Sequence, residues 1–266
     1  MTAARRAACA IILVALWVTS ARAESHAFAV TSPAHATITA ELSTPRGAGP
    51  FPAVILLHGC GGVGPHIKDW AVWLQHQGYA AFVLDSFGGR GLRRLCGGSA
   101  ALTGRMRAPD VYAAARYLKM LPQIDGKRIA AIGYSHGGWT LMWAVATEAQ
   151  YPDVDIRAFI MFYPTCTGWK TLPGTTPVLM LLGGKDDWTP AAPCEALAQS
   201  ASRTRGHITV VVYPDAFHAF DSPGIIGRRM VPDARGGLGA TIEYNPKAHE
   251  DAEKQVRAFL AQNLKP

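Results

Sequence analysis

The chain has 266 residues, 49% of them hydrophobic and 17% charged, enough apolar material for a full core and too much for a disordered chain. Its formal charge of +7 is not gathered into a Lys/Arg run or an aromatic-rich basic motif, which excludes a nucleic-acid reader.

The first 23 residues read as a secretory signal peptide. Arg5 and Arg6 precede an apolar run from Cys9 to Val18, and Ala21-Arg22-Ala23 is a small-x-small cleavage pattern. That run is far short of the ~20 residues that span a bilayer, and no later stretch is longer, so no membrane span is expected. The mature chain is expected to be exported, to periplasm or medium, and to meet an oxidising environment. Residues 24–266 read as one domain, because no repeat or low-complexity linker divides them.

From Phe28 to Leu42 a weak alternation offers one or two antiparallel edge strands. Val54 to His58 is a short apolar strand, followed by a Gly-rich turn and an amphipathic helix over Lys68 to Gln77. A strand over Tyr79 to Leu84 leads into a long loop punctuated by Gly88, Gly89, Gly91, Gly97 and Gly98. The spacing predicts a helix over Ala108 to Met120, a strand over Arg128 to Gly133 and a helix reaching Ala149. Strands over Ala158 to Tyr163, Val178 to Leu182 and Ile208 to Tyr213 follow, with helices over Pro193 to Ser202 and Lys247 to Leu260. Ser222 to Tyr244, rich in Gly, Arg and Pro, reads as a surface excursion. Short apolar runs alternating with helices are what a parallel sheet covered on both faces requires. The expected fold is α/β, doubly wound around a mostly parallel sheet.

Gly133-Tyr134-Ser135-His136-Gly137 fits G-x-S-x-G between a strand and a helix, the setting of the nucleophile elbow in the α/β-hydrolase fold. Such a serine needs a base, and the base needs a carboxylate to orient it. In this fold the order is serine, acid, histidine, each on a loop at the carboxyl end of a strand. His218, after the strand ending at Tyr213, is the expected base; His207 precedes a strand, and His249 reads as a solvated residue of the last helix. The acid is Asp186 or Asp187, both following the strand over Val178 to Leu182, while Asp215 and Asp221 read as surface-loop residues. The oxyanion donors are expected to be the amides of Cys60, with Gly61 as the alternative, and His136. His58 reads as structural within its loop. Four cysteines remain after cleavage, Cys60, Cys96, Cys166 and Cys194. They lack zinc-site spacing and suit disulfides, in any of three pairings.

Five stretches together resemble the dienelactone hydrolase family in order and over most of the mature chain. They are Leu56-Leu57-His58-Gly59-Cys60-Gly61-Gly62, Asp85-Ser86-Phe87-Gly88, Gly133 to Gly138, Gly183 to Pro190, and Phe217-His218-Ala219-Phe220-Asp221. The final Tyr244-Asn245-Pro246 is similar as well. The resemblance favours Asp186, four residues before Pro190, over Asp187. It implies pairings of Cys60 with Cys96 and Cys166 with Cys194, all four following strands at the catalytic edge. The enzymes that name the family use a cysteine nucleophile with a nearby glutamate, whereas Ser135 stands here, which favours an ordinary serine esterase.

The expected activity is hydrolysis of a small-molecule carboxylic ester or lactone through an acyl-enzyme, with no metal and no cofactor. A peptidase or amidase on the same triad, or a non-catalytic binding protein on the fold, are the alternatives. Phe87, Tyr134, Tyr163, Trp188 and Phe220 are pocket candidates, each beside a catalytic loop. Arg90, Arg93 and Arg94, in the long loop after Leu84, are candidates for a substrate carboxylate, and they also read as part of a solvated loop face.

Overall fold

Along each central strand successive side chains point to opposite faces, and here both faces are covered. The computed structural model describes residues 23–30, 35–98, 100–202 and 207–265; the expected signal peptide, apart from Ala23, lies outside them. In chain order the main elements are β1 (Glu24–Val30), β2 (Ala36–Ser43), β3 (Phe51–Leu57), α1 (Pro65–His76), β4 (Ala80–Asp85), α2 (Gly104–Lys119), β5 (Ile124–Tyr134) and α3 (His136–Thr147). Then come β6 (Ile156–Phe162), β7 (Val178–Gly183), α4 (Ala192–Ser202), β8 (Ile208–Tyr213), β9 (Arg229–Val231), α5 (Ala234–Gly237), β10 (Ala240–Ile242) and α6 (Pro246–Asn263).

The main sheet has eight strands in the order β1-β2-β4-β3-β5-β6-β7-β8. β1 and β2 are antiparallel, β2 runs antiparallel to β4, and the neighbours from β4 through β8 are parallel. Ala130, Ile132 and Tyr134 of β5 enter one core with Trp70 and Leu74 of α1 and Val256 and Leu260 of α6. Ile129 and Ala131 enter the other with Val111 and Tyr112 of α2, Leu141 of α3 and Leu197 of α4. Each fully buried Val, Leu, Ile or Phe contributes about 1.5–3 kcal/mol, so both faces hold β5 firmly, and β5 carries the elbow. This is the doubly wound, mostly parallel α/β sheet that the alternation of elements predicts.

Several boundaries differ from the sequence reading, among them the start of β5, which is four residues early at Ile124. α1 begins at Pro65, three residues early, since proline suits a first helical turn. α2 begins at Gly104, ahead of its apolar face, because the Thr103 hydroxyl accepts from the Met106 amide and caps it. Residues 222–244 are more than an excursion. They fold β9 against β10 as an antiparallel pair, and the Glu243 amide donates to the His218 carbonyl at 3.3 Å, which brings the segment back over the carboxyl edge of the sheet.

Candidate active site

The elbow between β5 and α3 is built by steric exclusion. A Cβ at Gly133 would strike the Gly137 carbonyl, and one at Gly137 would strike the Leu57 carbonyl of β3; with glycine at both, the backbone turns sharply enough to lift Ser135. Ser135 takes φ 53° and ψ −111°, a region sparsely populated by residues with a side chain. Its amide donates to the Phe162 carbonyl at 3.0 Å, and its carbonyl accepts from the Trp139 amide at 2.8 Å, so strand and helix hold it from both sides.

Three loops meet at this serine. His218 Nε2 lies 2.9 Å from Ser135 Oγ, and His218 Nδ1 lies 2.8 Å from Asp186 Oδ2. One tautomer satisfies both contacts, with Nδ1–H donating to the carboxylate and Nε2 accepting from the hydroxyl. Asp186 Oδ1 accepts from the amides of Trp188 and Thr189, each at 2.8 Å, and the Thr189 hydroxyl is 2.9 Å from Oδ2. Burial pushes the Asp186 carboxyl up, but His218 and these donors outweigh it and hold the group below the usual carboxylate range. The neighbouring Asp187 turns the other way and accepts from the amide and hydroxyl of Thr241 in β10, both at 2.8 Å. The imidazole of His218 is bracketed by the rings of Tyr163 at 4.4 Å and Trp188 at 4.7 Å.

Cys60 and His136 line a cavity with Ser135. A Cβ on Gly59 would sit 3.5 Å from the Ser135 Cβ, so the loop after β3 lies directly on the serine. A fully buried guanidinium that the sequence reading passed over ties the two sides together. Arg107 Nη1 donates to the His58 carbonyl at 2.8 Å and lies 3.2 Å from His136 Nδ1, while His136 Nε2–H donates to the Leu102 carbonyl at 3.0 Å. Burial and the Arg107 charge lower the His136 pKa to about 3, and burial, then Arg107, holds His58 well below its usual value. Both imidazoles are therefore neutral. His58 Nδ1 is 2.8 Å from the Gly59 carbonyl, so His58 acts within its own loop. The disulfides join Cys60 to Cys96 and Cys166 to Cys194; the first lines the cavity beside Ser135.

The pocket candidates divide. Trp188 and Tyr134 line the space at Ser135, as does Tyr163, although Tyr134 is 1% exposed and its hydroxyl has no hydrogen-bond partner among the described residues. Phe87 does not reach the cavity: it is buried edge-on against His58 and His136 and under the Arg107 guanidinium. Phe220 is core as well. Arg90 is not available to a substrate, since both of its Nη atoms donate to the buried Asp110 at 2.8 Å. Arg93 is exposed, and Arg94 pairs with Asp233 at 2.6 Å.

Asp221 is not a surface residue. It is fully buried and accepts from Tyr163 Oη at 2.7 Å, Trp70 Nε1 at 2.8 Å and His66 Nε2 at 3.2 Å. Burial raises its carboxyl, and the charge and hydrogen bond of His66, with the bonds from Tyr163 and Trp70, pull it below the usual range. His249, expected in solvent, is partly covered beside Trp70 and Tyr244. His66 and Trp70, one helical turn apart on α1, were the available sequence signal for this cluster.

The dienelactone hydrolase family model matches residues 38–264. The chain belongs to the dienelactone hydrolase family. As a member it is a hydrolase of carboxylic esters or lactones. A Yersinia pestis protein carrying the name carboxymethylenebutenolidase is 27% identical over 65% of this chain and 70% of its own length. A Bradyrhizobium protein named as a 2-oxo-3-(5-oxofuran-2-ylidene)propanoate lactonase is 26% identical over 68% of this chain and 78% of its own. Among solved structures, one titled as a dienelactone hydrolase of Klebsiella pneumoniae superposes with a TM-score of 0.68 at 22% identity, covering 91% of this chain and 99% of its own. An esterase of Pyrococcus furiosus does so with 0.64 at 15% identity, over 91% and 94%. These superpositions establish the α/β-hydrolase fold.

Proposed function

We propose that this protein is an exported serine hydrolase, a single domain from about Glu24 onward, that cleaves carboxylic esters or lactones through an acyl-enzyme on Ser135. The observation that carries this reading is the unbroken chain from Ser135 Oγ to His218 Nε2 at 2.9 Å and from His218 Nδ1 to Asp186 at 2.8 Å, assembled from three loops at one edge of the sheet. Ser135 Oγ attacks the carbonyl carbon as its proton passes to His218 Nε2. Asp186 stabilises the imidazolium and keeps its ring oriented. The amides of Cys60 and His136 receive the oxyanion, the second of them at the start of α3 where the helix dipole favours negative charge. The tetrahedral intermediate collapses, the alkoxide leaves with the proton from His218, and a water activated by the same imidazole releases the acid. Export is supported by the leader-like N-terminus and by two disulfides, which persist in oxidising compartments. No helix among the described residues is long and apolar enough to cross a membrane.

The test is hydrolysis of p-nitrophenyl acyl esters by the mature protein beside Ser135→Ala. The variant is expected to lose activity by about 10⁴-fold or more while keeping the wild-type melting curve. Hydrolysis that survives the substitution would overturn the assignment.

A further inference from the structure

Two cavities meet at Ser135. One, of about 300 Å³, is lined by Ser135 and His136 together with Leu95, Trp139, Thr165 and Trp188. The other, of about 230 Å³, is lined by Ser135 and His218 together with His66, Tyr134, Val231 and Ile242. Cys60, Cys96 and Trp188 border both, so the Cys60–Cys96 bridge lines each of them.

The chemistry proposed above, on which this inference rests, assigns the two spaces. The leaving alkoxide takes its proton from His218 Nε2, so the alcohol part must lie on the side that His218 lines. The acyl part stays bonded to Ser135 with its oxygen toward the His136 amide, so its chain must extend into the other cavity. We propose that Leu95 and Trp139 bound the acyl group and that His66, Val231 and Ile242 bound the alcohol. The walls then define the substrate class. The acyl side is mostly apolar, two indole rings and a leucine, with Thr165 and the exposed Arg235 at its border. The alcohol side offers His66, whose Nε2 is held by the buried Asp221 at 3.2 Å and whose Nδ1 makes no hydrogen bond among the described residues. The fitting substrate is an ester with an apolar acyl chain and an alcohol that carries a further hydrogen-bonding group, such as a hydroxyl.

Two rate ratios test the division, each read from kcat/KM: p-nitrophenyl octanoate against acetate for the acyl side, and 2,3-dihydroxypropyl butyrate against propyl butyrate for the alcohol side. The wild type is expected to prefer the dihydroxypropyl ester at least tenfold. Leu95→Trp is expected to lower the octanoate ratio at least tenfold and leave the alcohol ratio within twofold. His66→Phe is expected to erase the alcohol preference and leave the acyl ratio alone. Val231→Trp, which keeps the Asp221 pairing intact, is expected to slow the dihydroxypropyl ester at least tenfold without moving the acyl ratio. Crossed effects, ratios that move together, or a wild type indifferent to the alcohol would overturn the proposal. Because each readout compares two substrates of one active protein, it is separable from the Ser135→Ala test of the mechanism itself.

Discussion

Ser135 carries a Cβ at φ 53° and ψ −111°, a conformation that costs on the order of 1–3 kcal/mol. Glycine would relieve it, so Ser135→Gly is expected to stabilise the fold by about 1 kcal/mol in urea unfolding while removing hydrolysis. A variant that lost both would show that the serine also has a structural duty. The adjacent aspartates make a second contrast. Asp186→Asn, facing His218, is expected to lower kcat about 10⁴-fold, whereas Asp187→Asn, facing Thr241, is expected to raise KM with kcat kept within a fewfold. Equal losses of kcat in the two variants would contradict these separate roles.

At the scale of elements, the sequence reads well where periodicity and chain order carry the information. β3 through β8, the elbow and the acid and base loops all follow from apolar runs of strand length and from the order serine, acid, histidine. Tertiary closure was not legible. Nothing local marks Asp221 as buried, because its partners Tyr163, Trp70 and His66 lie 58, 151 and 155 residues away. Arg90 reads as a loop cation until Asp110, twenty residues on, takes it up. The segment over 222–244 has the composition of a surface loop, yet the β9 and β10 pair closes over the site through Asp187 and the His218 backbone. Arg107 joins elements in the same hidden way, tying the His58 carbonyl after β3 to His136 at the start of α3. Arg107→Met removes a buried charge and leaves the His58 carbonyl without its donor, which costs about 1–3 kcal/mol of stability. Assayed well below its lowered melting temperature, the variant is expected to show kcat reduced ten- to a hundredfold at nearly constant KM. An unchanged kcat would show that the two loops keep their places without it.

For the whole molecule, buried neutral imidazoles set the response to acid. His136 is lowered from its ordinary value of 6.5 to about 3, and His58 lies well below 6.5. The folded protein thus binds fewer protons than the unfolded chain below pH 6.5. The stability these groups lend is fully present above that value and declines as pH falls, by up to about 1.4 kcal/mol per pH unit for each. Asp186 and Asp221, whose folded values lie below the ordinary 3.8, add their loss only as pH falls through the acidic carboxylate range. Urea midpoints are therefore expected to fall between pH 6.5 and 5, and His136→Gln, which can keep both hydrogen bonds, is expected to flatten that slope. Midpoints constant down to pH 4.5 would contradict it.

The central claim is that the acyl group is carried on Ser135. The most direct measurement is intact-mass and peptide-level mass spectrometry of the purified protein after reaction with an organophosphonate ester that traps serine hydrolases. The account predicts one adduct per chain, on the peptide containing Ser135, formed in step with loss of esterase activity and absent from Ser135→Ala. Inactivation without an adduct, or an adduct on another residue with Ser135 unmodified, would contradict it.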